Sequence, residues 1–219
     1  MRRTPTLALI SVMILALGAI GITAVVAWQF IAGSRMVETA GRGGFTAAVK
    51  IGGPFKLVSH RGEKVSDETY RGRFLLVYFG YAYCPDVCPT ELANMAAAID
   101  YMGEAASAIQ PLFITVDPER DSPSLMANYV AQFHPAMVGL TGTNQEIADV
   151  AKRYRVFYRK VKDESMNEYM IDHSNFIYLI GPNGEFLSMF RGGTDPAVMV
   201  KAVSYTHLRA HETREDRVW

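Results

Sequence analysis

The residues of this sequence best suited to chemistry are its two cysteines, Cys84 and Cys88, in the segment YCPDVCPTEL. They directly follow FLLVYF (74–79), a short apolar run typical of a buried central strand. The carboxyl end of such a strand is where sites form in an α/β sheet, and the next helix N-terminus offers amides and a positive dipole that stabilise thiolates. A four-residue spacing lets both sulfurs face one side of a helical turn. The pair can therefore share a metal ion or form a redox disulfide, and a purely structural disulfide stays open as well.

Two sulfurs leave a metal ion under-coordinated, and the best third ligand is His173, in MIDHS. Asp172 is a candidate to orient this loop or to support the histidine, as carboxylates often do around ligating imidazoles. Pro85 and Pro89 fix φ around the cysteines, which predicts a stiff loop. Thiolates with one imidazole suit Cu(I), can also hold Cu(II), and could take Zn(II) with a fourth ligand. The residues alone leave the metal open.

The segments around these residues alternate between strand and helix. The predicted elements are a hairpin of Phe55–Val58 with a strand around Val65, the strand 74–79, a helix from Thr90 to Ala108, a strand from Pro111 to Val116, a helix from Ser122 to Phe133, a strand at 138–142, a helix capped by Asn144 and ending at Tyr154, a hairpin of Phe176–Ile180 and Phe186–Phe190, and a last helix capped by Asp195 with Pro196 first. This order predicts an α/β fold in which helices flank a central mixed sheet, as in thioredoxin-like folds.

The N-terminal segment predicts a membrane anchor. Arg2 and Arg3 precede an uncharged, mostly apolar run from Leu7 to Ala32. About 20 apolar residues cross a bilayer, whereas a cleaved signal peptide has an apolar stretch of only about 7–15 residues. We therefore expect an uncleaved transmembrane helix in residues 1–32, with the positive N-terminal flank in the cytoplasm. This topology predicts a single-pass protein of a bacterial inner membrane whose functional domain lies in the periplasm.

The remaining chain divides into three parts. Residues 33–44 (GSRMVETAGRGG) have the composition of a flexible linker, and residues 45–203 form the predicted domain. Residues 204–219 lose the apolar pattern and resemble a translated sequencing adapter, so we interpret them as a non-native tail. His207 and His211 in this tail have an i, i+4 spacing, but no third ligand accompanies them.

The charge balance argues against a nucleic-acid partner. The chain has 22 Lys plus Arg and 22 Asp plus Glu, for a formal net charge of zero. Proteins that bind nucleic acids usually carry a strongly basic surface.

Three motifs carry a resemblance to a known family. They are FGYAYCPDVCPTEL (79–92), TVDPERDSP (115–123) and IDHSNFIYLIGPNGEF (171–186). In this order and spacing the chain resembles the Sco/SenC copper-binding proteins from about Gly44 to Val203, together with the single N-terminal anchor.

The resemblance implies a copper site. Cys84 and Cys88 match the family's cysteine pair and His173 its histidine ligand, so these residues would bind one Cu(I) or Cu(II) ion. Asp117 matches an acidic residue of the family's site region, with an expected role in supporting the site or recognising a partner. The family often has threonine and histidine where this chain has Ala82 and Tyr83, so any accessory contact from that histidine is missing here.

Two functions from different classes follow. The first is a non-enzymatic copper metallochaperone that delivers copper to the CuA centre of cytochrome c oxidase subunit II, with other copper chaperones or thiol reductants as further partners. The alternative is a periplasmic thiol-disulfide oxidoreductase that uses Cys84 and Cys88. The CxxxC spacing, one residue longer than the usual CxxC, and the additional His173 favour the chaperone. A copper or redox sensor is a third interpretation.

Overall fold

The structure is a computed structural model that describes Trp28 and residues 50–162 and 169–215, with residues 206–215 described by their backbone only. The described residues from Lys50 onward belong to one compact unit. The predicted anchor and linker lie outside the described residues, apart from Trp28, so the anchor stays a prediction. Among the described residues, no helix combines the length and apolarity that a membrane span requires.

The described unit alternates strands and helices as expected. Its strands are β1 (Lys56–Ser59), β2 (Lys64–Ser66), β3 (Phe74–Gly80), β4 (Ile109–Thr115), β5 (Val138–Thr141), β6 (Tyr158–Lys162), β7 (Tyr169–His173), β8 (Phe176–Ile180) and β9 (Phe186–Arg191). Its α-helices are α1 (Val87–Tyr101), α2 (Pro123–Val130), α3 (Asn144–Tyr154) and α4 (Pro196–Glu215), and short 3-10 helices cover Asp67–Tyr70 and Gly103–Ala108.

Seven strands form one mixed sheet in the order β2-β1-β5-β4-β3-β8-β9. Strands β3, β4 and β5 are parallel; β1 and β8 pair antiparallel with β5 and β3, and β2 and β9 pair antiparallel with β1 and β8. Every residue of β3 and β4 is buried, which explains the continuous apolar sequence of β3 and the mostly apolar sequence of β4. The prediction of an α/β fold with helices flanking a central mixed sheet is confirmed.

Helix starts were harder to predict than strands. Helix α1 begins at Val87 rather than Thr90, so Cys88 lies in its first turn. The cap of α3 is Thr143 rather than Asn144, because the Thr143 hydroxyl accepts from the Glu146 amide and the Glu146 side chain accepts from the Thr143 amide in a capping box. The expected cap of α4 is confirmed, since the Asp195 carboxylate accepts from the Ala197 amide at 2.8 Å.

A second sheet was not predicted. Strands β6 and β7 pair with each other in a separate two-stranded antiparallel sheet, and Tyr158 lies opposite His173. The described part of this hairpin, hereafter the histidine hairpin, comprises residues 158–162 and 169–173, and residues 163–168 lie outside the described ones.

The backbone of the final helix, α4, continues past Val203, the predicted end of the domain, to Glu215. The side chains of His207 and His211 lie outside the described ones. The non-native origin of residues 204–219 stays a prediction.

Candidate metal centre

The two cysteines lie where the carboxyl end of β3 meets the first turn of α1. Both thiols are free, Cys84 being 8% exposed and Cys88 fully buried. The Cys88 amide donates to the Cys84 sulfur over 3.5 Å, as expected for a thiol at a helix N-terminus. One cysteine can therefore be reached from the surface, and the other is enclosed by the core.

Gly80, the last residue of β3, makes room for the enclosed sulfur. A Cβ atom at this position would lie 2.6 Å from the Cys88 Sγ and 3.0 Å from the Phe113 ring. Only glycine therefore fits between the strand and the sulfur without displacing one of them.

The two thiols differ in their acid strength. A hydrogen bond from the Cys88 thiol, aided by His173 and nearby backbone amides, holds the pKa of Cys84 well below its ordinary value, against the opposing effect of burial. Burial raises the pKa of Cys88, and its hydrogen bond to Cys84 acts in the same direction. Both shifts act in the direction that favours the thiolate on the accessible sulfur and the proton on the enclosed one.

His173, the last residue of the histidine hairpin, closes the site. Its Nε2 lies 3.3 Å from the Cys88 Sγ, and its Nδ1 lies 3.1 Å from the Ser174 carbonyl oxygen. Because a carbonyl oxygen only accepts, Nδ1 carries a proton; Nε2 donates to a sulfur when the ring is protonated and offers its lone pair to a metal ion when the ring is neutral. Tyr78 and Tyr81 pack edge-on against the imidazole with centroid distances of 6.1 and 5.9 Å.

The three side chains form a cluster that fits one metal ion. The sulfurs of Cys84 and Cys88 and a ring nitrogen of His173 all lie within 4.8 Å of one another. Two metal–ligand bonds of about 2.3 Å span about 4.6 Å, so a small closure brings all three atoms onto one ion. The cluster borders a surface cleft of about 460 Å³ between the cysteine loop and the histidine hairpin. Two thiolates and one imidazole in an open site suit copper.

Asp172 does not orient the histidine as expected. Its carboxylate accepts from Arg159 over 2.8 Å in an exposed ion pair. Successive residues of a strand point to opposite faces, so Asp172 faces away from the side on which His173 meets the cysteines. The ring is oriented by the Ser174 carbonyl instead.

Asp117 is fully buried and contacts none of the three candidate ligands directly. Its Oδ1 accepts from the Tyr169 hydroxyl at 2.8 Å, and its Oδ2 forms an ion pair with Arg120. Asp117 is therefore linked to the histidine hairpin, because Tyr169 is the first residue of β7.

Sequence reasoning missed Tyr78, Asn175 and the hydrogen bond of Tyr81 to the histidine hairpin. Tyr78 donates to Asn175 Oδ1 at 3.0 Å, and the Tyr81 hydroxyl accepts from the Ile171 amide at 3.3 Å. Both tyrosines lie at the end of the buried strand or just after it, which is the signal that could have identified them. Tyr83 is 49% exposed, so it covers the loop and does not belong to the core.

Comparisons with known proteins agree with this geometry. A family model described as SCO1/SenC matches residues 44–207. The human mitochondrial SCO1 homolog is 42% identical over 166 residues, which are 75% of this chain and 55% of that protein. The chain thus spans little more than half the length of this relative.

Solved structures show the same fold. Arabidopsis thaliana ScoI with copper bound is 41% identical, with a TM-score of 0.66 over 70% of this chain and 95% of that one. BsSco, described as a member of the Sco family of cytochrome c oxidase assembly proteins with a disulfide switch, is 24% identical, with a TM-score of 0.57 over 71% of this chain and 92% of that one. The match to the family model covers most of the chain, and the motifs around Cys84, Cys88 and His173 lie within it. The chain belongs to the SCO1/SenC family.

Proposed function

We propose that this protein is a copper metallochaperone that binds one copper ion through Cys84, Cys88 and His173. The observation that carries the proposal is the convergence of two sulfurs and one imidazole nitrogen within 4.8 Å beside a surface cleft. A relative with the same fold has copper bound in its structure, which supports copper over zinc. Three ligands leave the ion under-coordinated, so an acceptor can add its own ligands before the first ones leave.

The location of the cysteines suits transfer of the ion. Cys84 lines the cleft, whereas Cys88 is enclosed beneath it. An approaching acceptor thiolate therefore meets Cys84 and the imidazole of His173 first, and Cys88 releases the ion last. Because thiols must lose their protons to bind the ion, capture is linked to pH and to redox state, and a Cys84–Cys88 disulfide prevents it.

The acceptor in this proposal is the CuA centre of cytochrome c oxidase subunit II. Membership of a family described as cytochrome c oxidase assembly proteins supports an oxidase partner. The proposal also places the domain in the bacterial periplasm, held at the inner membrane by the apolar segment from Leu7 to Ala32.

A thiol-disulfide oxidoreductase is the second candidate, because Cys84 has the lowered pKa of a reactive nucleophile. In such a reaction the Cys84 thiolate attacks a substrate disulfide and Cys88 resolves the mixed disulfide, so the protein pair is oxidised and the substrate reduced. This chemistry needs both sulfurs but gives no metal-binding task to His173.

The histidine therefore provides the test. The full-length protein is reduced, loaded separately with Cu(I) and Cu(II), and its stoichiometry and affinity are measured for wild type and His173→Ala. His134→Ala is the matched control, because the His134 ring lies 3.4 Å from the Asp100 carboxylate, away from the cluster. We expect one copper per chain, weakened at least tenfold in His173→Ala and unchanged in the control.

Delivery is measured by mixing the copper-loaded protein with copper-free oxidase subunit II and following the absorption of the CuA centre. Failure to bind copper, or binding that is indifferent to His173, would contradict the chaperone. Disulfide reduction that persists in His173→Ala without any copper binding would favour the oxidoreductase.

A further inference from the structure

The two halves of the metal centre belong to different parts of the fold. The cysteines follow β3 of the central sheet, whereas His173 ends a hairpin whose strands pair only with each other among the described residues. The segment from Thr115 to Asp121, hereafter the brace loop, leaves the carboxyl end of β4 and is hydrogen-bonded to both halves.

On the cysteine side, the contact is made by Asp121. This residue is fully buried, and its Oδ2 accepts from the Ala82 amide at 3.0 Å, two residues before Cys84. The same oxygen accepts from the Thr115 hydroxyl, which also accepts from the Asp117 amide at 2.8 Å. The cysteine loop is therefore joined to a rigid, internally bonded turn.

On the histidine side, the contacts converge on Tyr169. Its hydroxyl donates to the Asp117 carboxylate, and its carbonyl accepts from Arg120 Nη1 at 3.0 Å. The Arg120 guanidinium also lies over the Tyr169 ring, 3.9 Å from its centroid, and pairs with Asp117. Hydrogen bonds to charged groups are stronger than neutral ones, and Asp117 is shielded from water.

These contacts fix the position of the hairpin. Tyr169 and His173 are the first and last residues of β7, so the contacts that fix Tyr169 also fix the position of the His173 side chain. The Ile171 amide donates to the Tyr81 hydroxyl midway along the strand. Without the Asp117 contact, the hairpin would still have the Arg120 bond to the Tyr169 carbonyl, the Ile171 bond to Tyr81 and its β6 pairing, but it would lose its bond to the buried Asp117 carboxylate.

We propose that the brace loop is a positioning element that holds the His173 ring close to the sulfurs of Cys84 and Cys88. It acts through its contacts with Tyr169. This inference rests on the proposed copper-binding function. It assigns a different role to each carboxylate of the loop, Asp121 acting on the cysteines and Asp117 on the histidine. The Asp117 contact thereby positions the third ligand, and the Asp121 contact is the one that bears on the sulfur pair.

The proposal predicts that a change in the position of His173 affects the affinities for Cu(I) and Cu(II) to different extents. Soft thiolates dominate the binding of Cu(I), whereas Cu(II) depends more on the nitrogen ligand. A misplaced His173 therefore weakens Cu(II) binding far more than Cu(I) binding.

The test compares two variants that each remove one link between the brace loop and the hairpin. Tyr169→Phe removes the partly buried hydrogen bond to Asp117 but keeps the ring. Lys160→Met removes the ion pair with Glu119, which joins the same two segments at 2.7 Å but is about half exposed, together with the ammonium that lies 4.5 Å from the Tyr169 ring centroid. Exposed pairs contribute little, so Lys160→Met is the matched control.

We expect Tyr169→Phe to lower the Cu(II) affinity of the full-length protein by about tenfold or more, as is usual for partners that orient a ligand. Its Cu(I) affinity should change by less than about threefold, and the sulfur-to-Cu(II) charge-transfer band should shift. Lys160→Met should match wild type in all three measurements. An unchanged Cu(II) affinity in Tyr169→Phe, equal losses for both ions, or equal effects of the two variants would each overturn the proposal.

A copper-free measurement keeps the inference separate from the proposed function. Hydrogen exchange of the Ile171 amide, followed by NMR in the reduced apo protein, reports how firmly the hairpin is held. Faster exchange in Tyr169→Phe than in Lys160→Met supports the brace, and equal exchange contradicts it. If wild type binds neither copper ion, the proposed function fails while this comparison still decides the role of the loop.

Discussion

The cysteine region and the histidine hairpin hold their ligands in different ways. Cys88 is fully buried beneath the carboxyl end of β3, a strand without an exposed residue, and it is packed against Gly80. The histidine hairpin is mostly exposed along β6, and polar contacts from the brace loop hold it against the domain. The sulfur pair is fixed by core packing, and the imidazole is fixed by hydrogen bonds.

This difference bears on how a chaperone can both hold and release an ion. Packed cores resist displacement, whereas a hairpin held by a few polar contacts can move at a small cost in free energy. We infer that the cysteines form the constant part of the site and that His173 is the adjustable ligand. The following variants test this division, in order of decreasing expected effect.

The largest effect is expected from Gly80→Ala, because the new methyl group would lie 2.6 Å from the Cys88 sulfur. Overpacking of this kind typically lowers the free energy of unfolding by about 1–3 kcal/mol, and here it also displaces a ligand. Binding of both Cu(I) and Cu(II) should be lost or strongly reduced. Thermal unfolding and copper titration of the reduced protein measure the two effects.

Gly139→Ala is the control for this variant. Gly139 lies in β5, which β4 separates from β3, and a new Cβ there would lie 3.1 Å from the Met126 terminal methyl and from a Val130 methyl. A flexible methionine can shift, so we expect a smaller loss of stability and unchanged copper binding. Wild-type copper binding by Gly80→Ala would show that the cysteine region is less rigid than its packing indicates.

The second prediction concerns the pH dependence of thiol reactivity. An ordinary cysteine has a pKa of about 8.5, so its alkylation slows about tenfold for each pH unit below that value. Because the pKa of Cys84 is lowered, its thiolate persists as the pH falls, and its alkylation rate should stay nearly constant from about pH 8 to about pH 6. Cys88 should stay unmodified, because it is buried and its pKa is raised.

Mass spectrometry of the iodoacetamide-treated, reduced protein identifies the modified cysteine. His173→Ala removes one of the contacts that lower the pKa of Cys84, so its rate should begin to fall at a higher pH. A tenfold loss of rate per pH unit in the wild type would contradict the lowered pKa.

The sequence was sufficient for the cysteine region and insufficient for the hairpin. The run FLLVYF is apolar throughout, which identified β3 and placed Cys84 and Cys88 at its carboxyl end. Strand β6 has the sequence YRKVK and is mostly exposed. Because three of its five residues are charged, its sequence pattern is hard to distinguish from that of a loop. His173 could be proposed as a ligand from its chemistry, but the contact between Tyr169 and Asp117 joins residues 52 positions apart and leaves no local signal.

A moderate effect is expected from Tyr78→Phe. The Tyr78 hydroxyl bonds to Asn175, two residues after His173, and thus links the cysteine strand to the end of the hairpin. Its loss leaves the Asn175 acceptor without this donor, and we expect a loss of about 1–2 kcal/mol in the free energy of unfolding. That corresponds to a decrease of a few degrees in the melting temperature.

Tyr129→Phe is the matched control, because the buried Tyr129 hydroxyl has no hydrogen-bond partner among the described residues. Removing it should leave the melting temperature unchanged or slightly raised. Equal effects of the two variants would show that the link between Tyr78 and Asn175 contributes nothing.

The smallest effect is expected from Asp172→Asn, although this residue adjoins the candidate ligand. Its side chain is 56% exposed and pairs with Arg159, whose side chain is 65% exposed. An exposed pair contributes at most about 1 kcal/mol, and the imidazole is oriented by the Ser174 carbonyl. Copper affinity should therefore change by less than about twofold, whereas a carboxylate that supported the histidine would cost about 10- to 100-fold. A loss in that larger range, measured by copper titration, would mean that Asp172 turns toward the site when the ion binds. The hairpin would then be adjustable in its side chains as well as in its position.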